Sequence, residues 1–303
     1  MSKFLSALAG ALALSVSALA QGMLLVPDST ADVVHGFDPY DGIYVGVVIP
    51  FYSGFSTPIN AIDSTRGTIY VSDQVADAIY EFDYSGNYIR TITNLASSGV
   101  DNIRGIAIRD GYLYVTNGSG TWNNTIQRFD LDGGSQSTFA STNLSSPFDV
   151  YFRENDVLVS NSSSDDIEWF DLAGGYLGKF VDSTGAGNVN FPEQIARRAN
   201  GNVLVAGFSP AIGIYEYDSE GVLLNFYAFG NGNRGVYELG NGDIMFTDGN
   251  GVYRIDSVTG SLVTLKTGGS FRFIEWAPVP EPSALAGLSF AFLGVVTMLR
   301  RRR

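Results

Sequence analysis

Residues 156–180 read DVLVSNSSSDDIEWFDLAGGYLGKF. An apolar run, Val157-Leu158-Val159, ends at Ser160-Asn161. After a polar loop an alternating run, Ile167-Glu168-Trp169-Phe170, ends at Asp171. A glycine-bearing turn at Gly174 then leads into a further run, Tyr176-Leu177-Gly178-Lys179-Phe180. Alternation with a period of two places successive side chains on opposite faces, so each run predicts a strand. Asp-x-x-Gly between two strands suits a hairpin: Asp accepts bonds from the turn backbone, and Gly takes a positive φ without steric cost.

The same order recurs five more times. The other copies are MLLVPDSTADVVHGFDPYDGIYVGVVI (23–49), TIYVSDQVADAIYEFDYSGNYIRTIT (68–93), YLYVTNGSGTWNNTIQRFDLDGG (112–134), NVLVAGFSPAIGIYEYDSEGVLLNF (202–226) and DIMFTDGNGVYRIDSVTGSLVTL (243–265). The first strand of each unit stops near Asp28, Asp73, Asn117, Asn161, Gly207 or Asp248. The second stops at Asp38, Asp83, Asp130, Asp171, Asp218 or Asp256. The second set of aspartates reads as structural, because every unit needs a turn whereas a catalytic group is needed once.

Ahead of five units lies one more short strand: TPINAID, NIRGIAI, SPFDVYF, FPEQIAR and NRGVYEL. The first unit lacks it, but GSFRFIEW (269–276) is left over after the sixth, so residues 271–276 are expected to complete the first sheet. Spacings of roughly 38 to 47 residues between turn aspartates match four-stranded propeller blades. The prediction is an all-β, six-bladed β-propeller over residues 22–277 whose first blade is built from both ends of the chain. Ring closure of this kind removes most exposed sheet edges.

The stretch IRGIAIRDGYLYVTN…IQRFDLDGG resembles the NHL-type repeat and its relatives, which include the lactonase-like propellers. The resemblance recurs along the middle of the chain and implies architecture; propellers host both binders and enzymes.

Composition narrows the chemistry. The 303-residue chain has no Cys and one His, which excludes disulfides, thiolate sites and multi-histidine metal centres. A net charge of −13 argues against nucleic acid as a partner. Five of the 18 basic residues are Lys3 and the arginines at 300–303, so the propeller itself is more acidic still. His35 aligns with Tyr80, Gln127, Glu168, Tyr215 and Tyr253 of the other units and reads as a packing or surface residue; no Ser–His–Asp arrangement is visible.

In a propeller the innermost strands line the central channel. Aligning them sets Ile59, Arg104, Phe148, Glu193, Arg234 and Arg272 at one level, and Asn60, Gly105, Asp149, Gln194, Gly235 and Phe273 at the next. Arg104, Asp149, Glu193, Gln194, Arg234 and Arg272 are the candidate binding residues, since Arg presents a fixed fork of donors to carboxylates, phosphates or sugars. The alternative is charges pairing across a water-filled channel. No catalytic residue is assigned. The lactonase-like resemblance implies a divalent cation, Ca²⁺ by its oxygen ligands, with Asn60, Asn117, Asp149 and Glu193 as nearest candidates; the neighbouring arginines oppose a metal there.

Two terminal segments stand outside the repeats. MSKFLSALAGALALSVSALAQ has an early cation, an apolar stretch and a small-x-small site at Ala18 and Ala20, with cleavage expected before Gln21: a secretory signal peptide over residues 1–20 that engages the Sec machinery. At the other end, a linker over 278–283 carries Pro280-Glu281-Pro282. An apolar run over 284–299 follows and then Arg300, Arg301, Arg302 and Arg303, so 284–303 reads as a transmembrane sorting helix with a cytoplasmic basic stop. These three elements in order resemble the PEP-CTERM sorting signal of Gram-negative bacteria. The resemblance implies transient anchoring in the inner membrane, recognition by an exosortase, and delivery to the cell surface or extracellular matrix in systems associated with exopolysaccharide and biofilm. The functional expectation is a non-catalytic surface or matrix module for polysaccharide or a surface protein. A metal-dependent, lactonase-like extracellular hydrolase is the alternative.

Overall fold

The computed structural model describes residues 22–92, 99–184 and 188–279. The signal peptide with its Ala18, Ala20 and Gln21 site, the Pro280-Glu281-Pro282 motif and the tail through Arg300, Arg301, Arg302 and Arg303 lie outside the described residues.

Six antiparallel four-stranded sheets form a ring, and the described residues contain no helix. Five sheets are consecutive: 58–91, 101–140, 147–181, 192–227 and 236–267, which are blades 2 to 6. Blade 1 takes Met23–Asp28, Val33–Phe37 and Tyr44–Ile49 from one end of the chain and Glu275–Ala277 from the other. Within it Met23, Leu24 and Leu25 pair with Ala277, Trp276 and Glu275. The closure is therefore as the repeat predicts, but the regular ladder is shorter and lies further along than 271–276. Phe271 makes only an isolated bridge to Asp28. Between the two, the Phe273 N–H donates to Ile59 O, and both backbone polar groups of Ile274 bond the Gln194 side chain. These backbone groups serve blades 2 and 5 and so leave their own sheet.

The core consists of apolar faces packed between neighbouring blades. Blades 1 and 2 share Met23, Val34, Val71 and Phe82, and blades 4 and 5 share Leu158, Phe180, Val205 and Tyr217. The turn aspartates act structurally, as expected. Asp171 Oδ1 accepts from the N–H of Ala173 and Gly175, and Asp218 Oδ1 accepts from Glu220 and Val222. The turn glycine has a second duty that alternation does not reveal. A Cβ on Gly221 (φ +89°) would overlap the backbone oxygen of Phe180 in the preceding blade, so the absent side chain lets adjacent blades approach.

The Asp or Asn ending the first strand of a repeat unit also has a defined task. It accepts N–H groups from the segment entering its own blade: Asp73 from Ser56 and Thr57, Asn117 from Asp101, Asn161 from Ser145, and Asp248 from Asn231. Asp28 does the same for Ser270, and its other carboxylate oxygen lies 3.6 Å from His35 Nε2. His35 is buried, the packing rather than the surface alternative, with Nδ1 3.2 Å from the Tyr44 hydroxyl.

Just inside these residues runs a belt of hydroxyls. Ser72, Thr116, Ser160 and Thr247 each accept an N–H from their own inner strand: Asn60, Arg104, Asp149 and Gly235. Ser72, Ser160 and Thr247 also donate to a carbonyl of the next blade, Arg104 O, Glu193 O and Arg272 O, while Thr116 Oγ1 lies 3.1 Å from Gly105 O of its own inner strand and 3.4 Å from Phe148 O of the next blade. These bonds bind blade to blade around the axis.

Candidate functional site: a closed channel with two mouths

Each inner strand of blades 2 to 5 has an irregularity where it meets the belt: between Pro58 and Asn60, Ile103 and Ile106, Pro147 and Asp149, and Pro192 and Ile195. A bulge re-aims side chains that strict alternation would send to opposite faces. Consecutive residues such as Phe148 and Asp149, or Glu193 and Gln194, both serve the axis as a result.

Ile59 and Phe148 of the first level pack together with Phe273, which the alignment set at the next level; all three are nearly inaccessible, with Phe191 beside them. Phe148 and Phe273 stand 6.0 Å apart between ring centroids. These side chains form an apolar waist across the axis.

On one side of the waist the structure gathers four of the six candidate binding residues. Arg234 Nη1 lies 3.6 Å from Glu193 Oε1, the Arg104 guanidinium stacks 4.5 Å from the Phe148 ring centroid, and Arg272 Nε donates to Ser29 Oγ. Burial pushes the Glu193 carboxyl up to about 7 despite the pull of Arg234, Arg272 and Arg104. Burial also lowers Arg104 to about 10, and burial with the neighbouring Arg234 lowers Arg272 to about 10.

The other two candidates sit a level further along and act as ties. Asp149 accepts the N–H of Val150 and of Ile195 in the next blade. Gln194 Oε1 accepts from Val236 and Ile274, while Nε2 donates to Ile274 O and, at 3.0 Å, to Glu275 Oε1. The four candidate metal ligands have separate engagements. Asn60 donates to Ile106 O, Asn117 donates to Ser119 O and Trp122 O, Asp149 holds two N–H groups, and Glu193 faces Arg234. Among the described residues no group of three or more His, Asp or Glu is arranged to hold a metal ion.

Beyond Asp149 and Gln194 the channel opens into a funnel that the inner-strand alignment did not single out. Two adjoining depressions of about 770 and 320 Å³ share Tyr151, Glu275 and Trp276 and draw lining residues from all six blades. Tyr40 and Trp276 are well exposed on its wall, at 59% and 43%, with Tyr151 and Tyr237 partly so. Near its floor the Glu275 carboxyl is pushed up to about 8 and Asp149 to about 7, burial being the main cause of both. Burial, and then Glu275, raise Tyr151 to about 12. The funnel therefore presents phenols, an indole and the raised Glu275 carboxyl, with Arg197, Glu238 and Asp63 also on its wall.

No family model matches the chain, and no curated protein matches it. Solved structures do. A chain of a nidogen–laminin complex superposes with a TM-score of 0.70 at 14% identity, covering 84% of this chain and 98% of that one. The likeness is one of fold. A protein of unknown function from Bacteroides caccae gives 0.62 at 16% identity, with 84% and 98% covered. The WD40 β-propeller domain of Doa1 gives 0.55 at 16% identity, with 81% and 79% covered. At these identities the shared property is the β-propeller architecture.

Proposed function

We propose that this chain is an exported, non-catalytic binding propeller of the cell surface or extracellular matrix, and that its funnel takes a weakly charged, polyhydroxylated ligand such as an extracellular polysaccharide. The observation carrying this reading is the funnel: Tyr40, Tyr151, Tyr237 and Trp276 line a depression of about 770 Å³ beside the Glu275 carboxyl, which burial pushes up to about 8. Aromatic faces stack on the apolar faces of sugar rings, while phenol, indole and carboxyl groups exchange hydrogen bonds with hydroxyls. Concave sites with a few convergent polar groups are the usual form of a small-ligand site.

Export rests on the sequence: the signal peptide ending at Ala20 and the resemblance of Pro280-Glu281-Pro282, the apolar run and the terminal arginines to a PEP-CTERM signal. Mass spectrometry of the protein recovered from the cell surface tests this part. The expected species lacks residues 1–20 and the arginines at 300–303; recovery of the intact tail on an exported chain counts against exosortase release.

The binding reading is tested by titrating neutral bacterial exopolysaccharide fragments while following tryptophan fluorescence. A saturable change is expected in the native protein. Trp276→Ala should weaken it about tenfold, the worth of one aromatic stacking contact. A flat titration across the fragments rejects the polysaccharide reading, and release of cleaved product on long incubation moves the assignment to a hydrolase.

A further inference from the structure

The mouth opposite the funnel has different chemistry. Three guanidinium groups, Arg104, Arg234 and Arg272, surround one carboxylate, Glu193, beside the apolar waist. Their bonding is incomplete. Arg104 Nε and Arg234 Nε are buried without a hydrogen-bond partner, and so is Glu193 Oε2. The 3.6 Å between Arg234 Nη1 and Glu193 Oε1 exceeds a direct hydrogen bond.

Two of the arginines are also held rigidly. Phe148 lies under Arg104 at 4.5 Å and Phe208 under Arg234 at 4.8 Å, which fixes the guanidinium planes and leaves their edges to face a ligand. Arg104 Nη1 is committed to Ser146 and Pro147 O, and Arg272 Nε to Ser29 Oγ. The neck remains open to solvent through Arg234, whose side chain is 18% exposed. Asp28 and Asp73 offset part of the charge on Arg272, whereas Glu193 is the one carboxylate acting on Arg104; buried cations of this kind are costly unless further negative charge joins them.

We infer that this neck binds a single carboxylate, entering from the mouth opposite the funnel and gripped by Arg104, Arg234 and Arg272, with Glu193 as a competing internal anion. The carboxylate could be a free organic acid or the acid group of a uronate. The site shares no side chain with the funnel, so the two readings stand or fall separately.

Isothermal titration of the full propeller with sodium galacturonate, sodium acetate, galactose and sodium chloride, all at constant ionic strength, tests the inference. Saturable binding of galacturonate that galactose does not displace is expected. Equal affinity for acetate assigns the site to the carboxylate alone, while a preference for galacturonate assigns it to a sugar acid. Arg234→Gln should lower affinity about tenfold, the worth of one charged hydrogen bond. Glu193→Gln should raise affinity several-fold, a gain that mere loss of structure does not produce, so it keeps the test valid if Arg234→Gln folds poorly.

Affinity should also rise from pH 8 to pH 6 as Glu193 takes up a proton and frees the arginines it faces. The other charges near the neck are Asp28 and Asp73, which act on Arg272. The pH dependence should vanish in Glu193→Gln. Absence of saturable carboxylate binding, equal saturation by chloride, or weaker binding by Glu193→Gln overturns the assignment.

Discussion

The side chains of Gln194 and Glu275, from blades 5 and 1, meet at 3.0 Å between Nε2 and Oε1. The same amide holds the N–H of Val236 in blade 6 and both backbone polar groups of Ile274. One side chain thus joins three blades at the seam where the ring closes. Gln194→Ala strands two buried N–H groups and should cost about 3 kcal/mol, at 1–3 kcal/mol for each unsatisfied group. Urea unfolding followed by far-ultraviolet circular dichroism would measure it.

Glu275, Asp149 and Glu193 are all raised by burial, to about 8, 7 and 7. A carboxyl in an unfolded chain titrates near pH 4, so between about pH 4 and 8 the folded state binds more protons than the unfolded one. Stability from these groups is complete below that window and falls as pH rises through it. Glu275→Gln, which keeps an oxygen for Gln194 to bond, should flatten part of this fall. Melting temperatures of variant and native protein at pH 5 and pH 8 would show the difference narrowing.

The turn glycines separate two effects that usually occur together. Gly260 (φ +68°) has open space where a Cβ would stand, whereas Gly221 (φ +89°) faces the backbone of Phe180. Gly260→Ala should cost only left-handed strain, about 1–2 kcal/mol. Gly221→Ala should cost about 2 kcal/mol more, because two blades must shift apart. Equal losses in denaturant unfolding would mean that the inter-blade approach has no energetic weight.

Ser160→Ala removes a hydroxyl that serves Asp149 N and Glu193 O together. A loss of about 2 kcal/mol is expected, with the buried N–H and C=O both left short of a partner. Hydrogen exchange should report faster opening of the Asp149 amide than of amides in blade 2.

The blade order was legible because its signals are local. Asp38, Asp83, Asp171, Asp218 and Asp256 cap turns within three or four residues of themselves, so alternation and turn chemistry recur in every unit. The channel was legible in part. Arg104, Glu193, Arg234 and Arg272 do gather, whereas Asp149 and Gln194 are engaged by the backbone of neighbouring blades. The bulges that separate these two groups arise from contacts between blades distant in sequence, which alternation cannot register. The belt did leave a trace: a hydroxyl residue before the strand-ending acid or amide in Ser72-Asp73, Thr116-Asn117, Ser160-Asn161 and Thr247-Asp248. The funnel aromatics come from three blades, Tyr40 and Trp276 from blade 1, Tyr151 from blade 4 and Tyr237 from blade 6. Tyr151 and Tyr237 share a position two residues beyond Asp149 and Gly235, so continuing the inner-strand alignment would have found them.

Because the first sheet takes its innermost strand from residues 275–277, the order of synthesis governs when the ring can exist. A chain delivered N-terminus first exposes the ladder edge of Met23, Leu24 and Leu25 until nearly all of the propeller has followed. Throughout that interval it is an open arc whose first blade has three strands and one unpaired ladder edge, the condition in which sheets recruit the wrong neighbour. Completion is then a single late event, which waits for Glu275, Trp276 and Ala277 to reach Leu25, Leu24 and Met23.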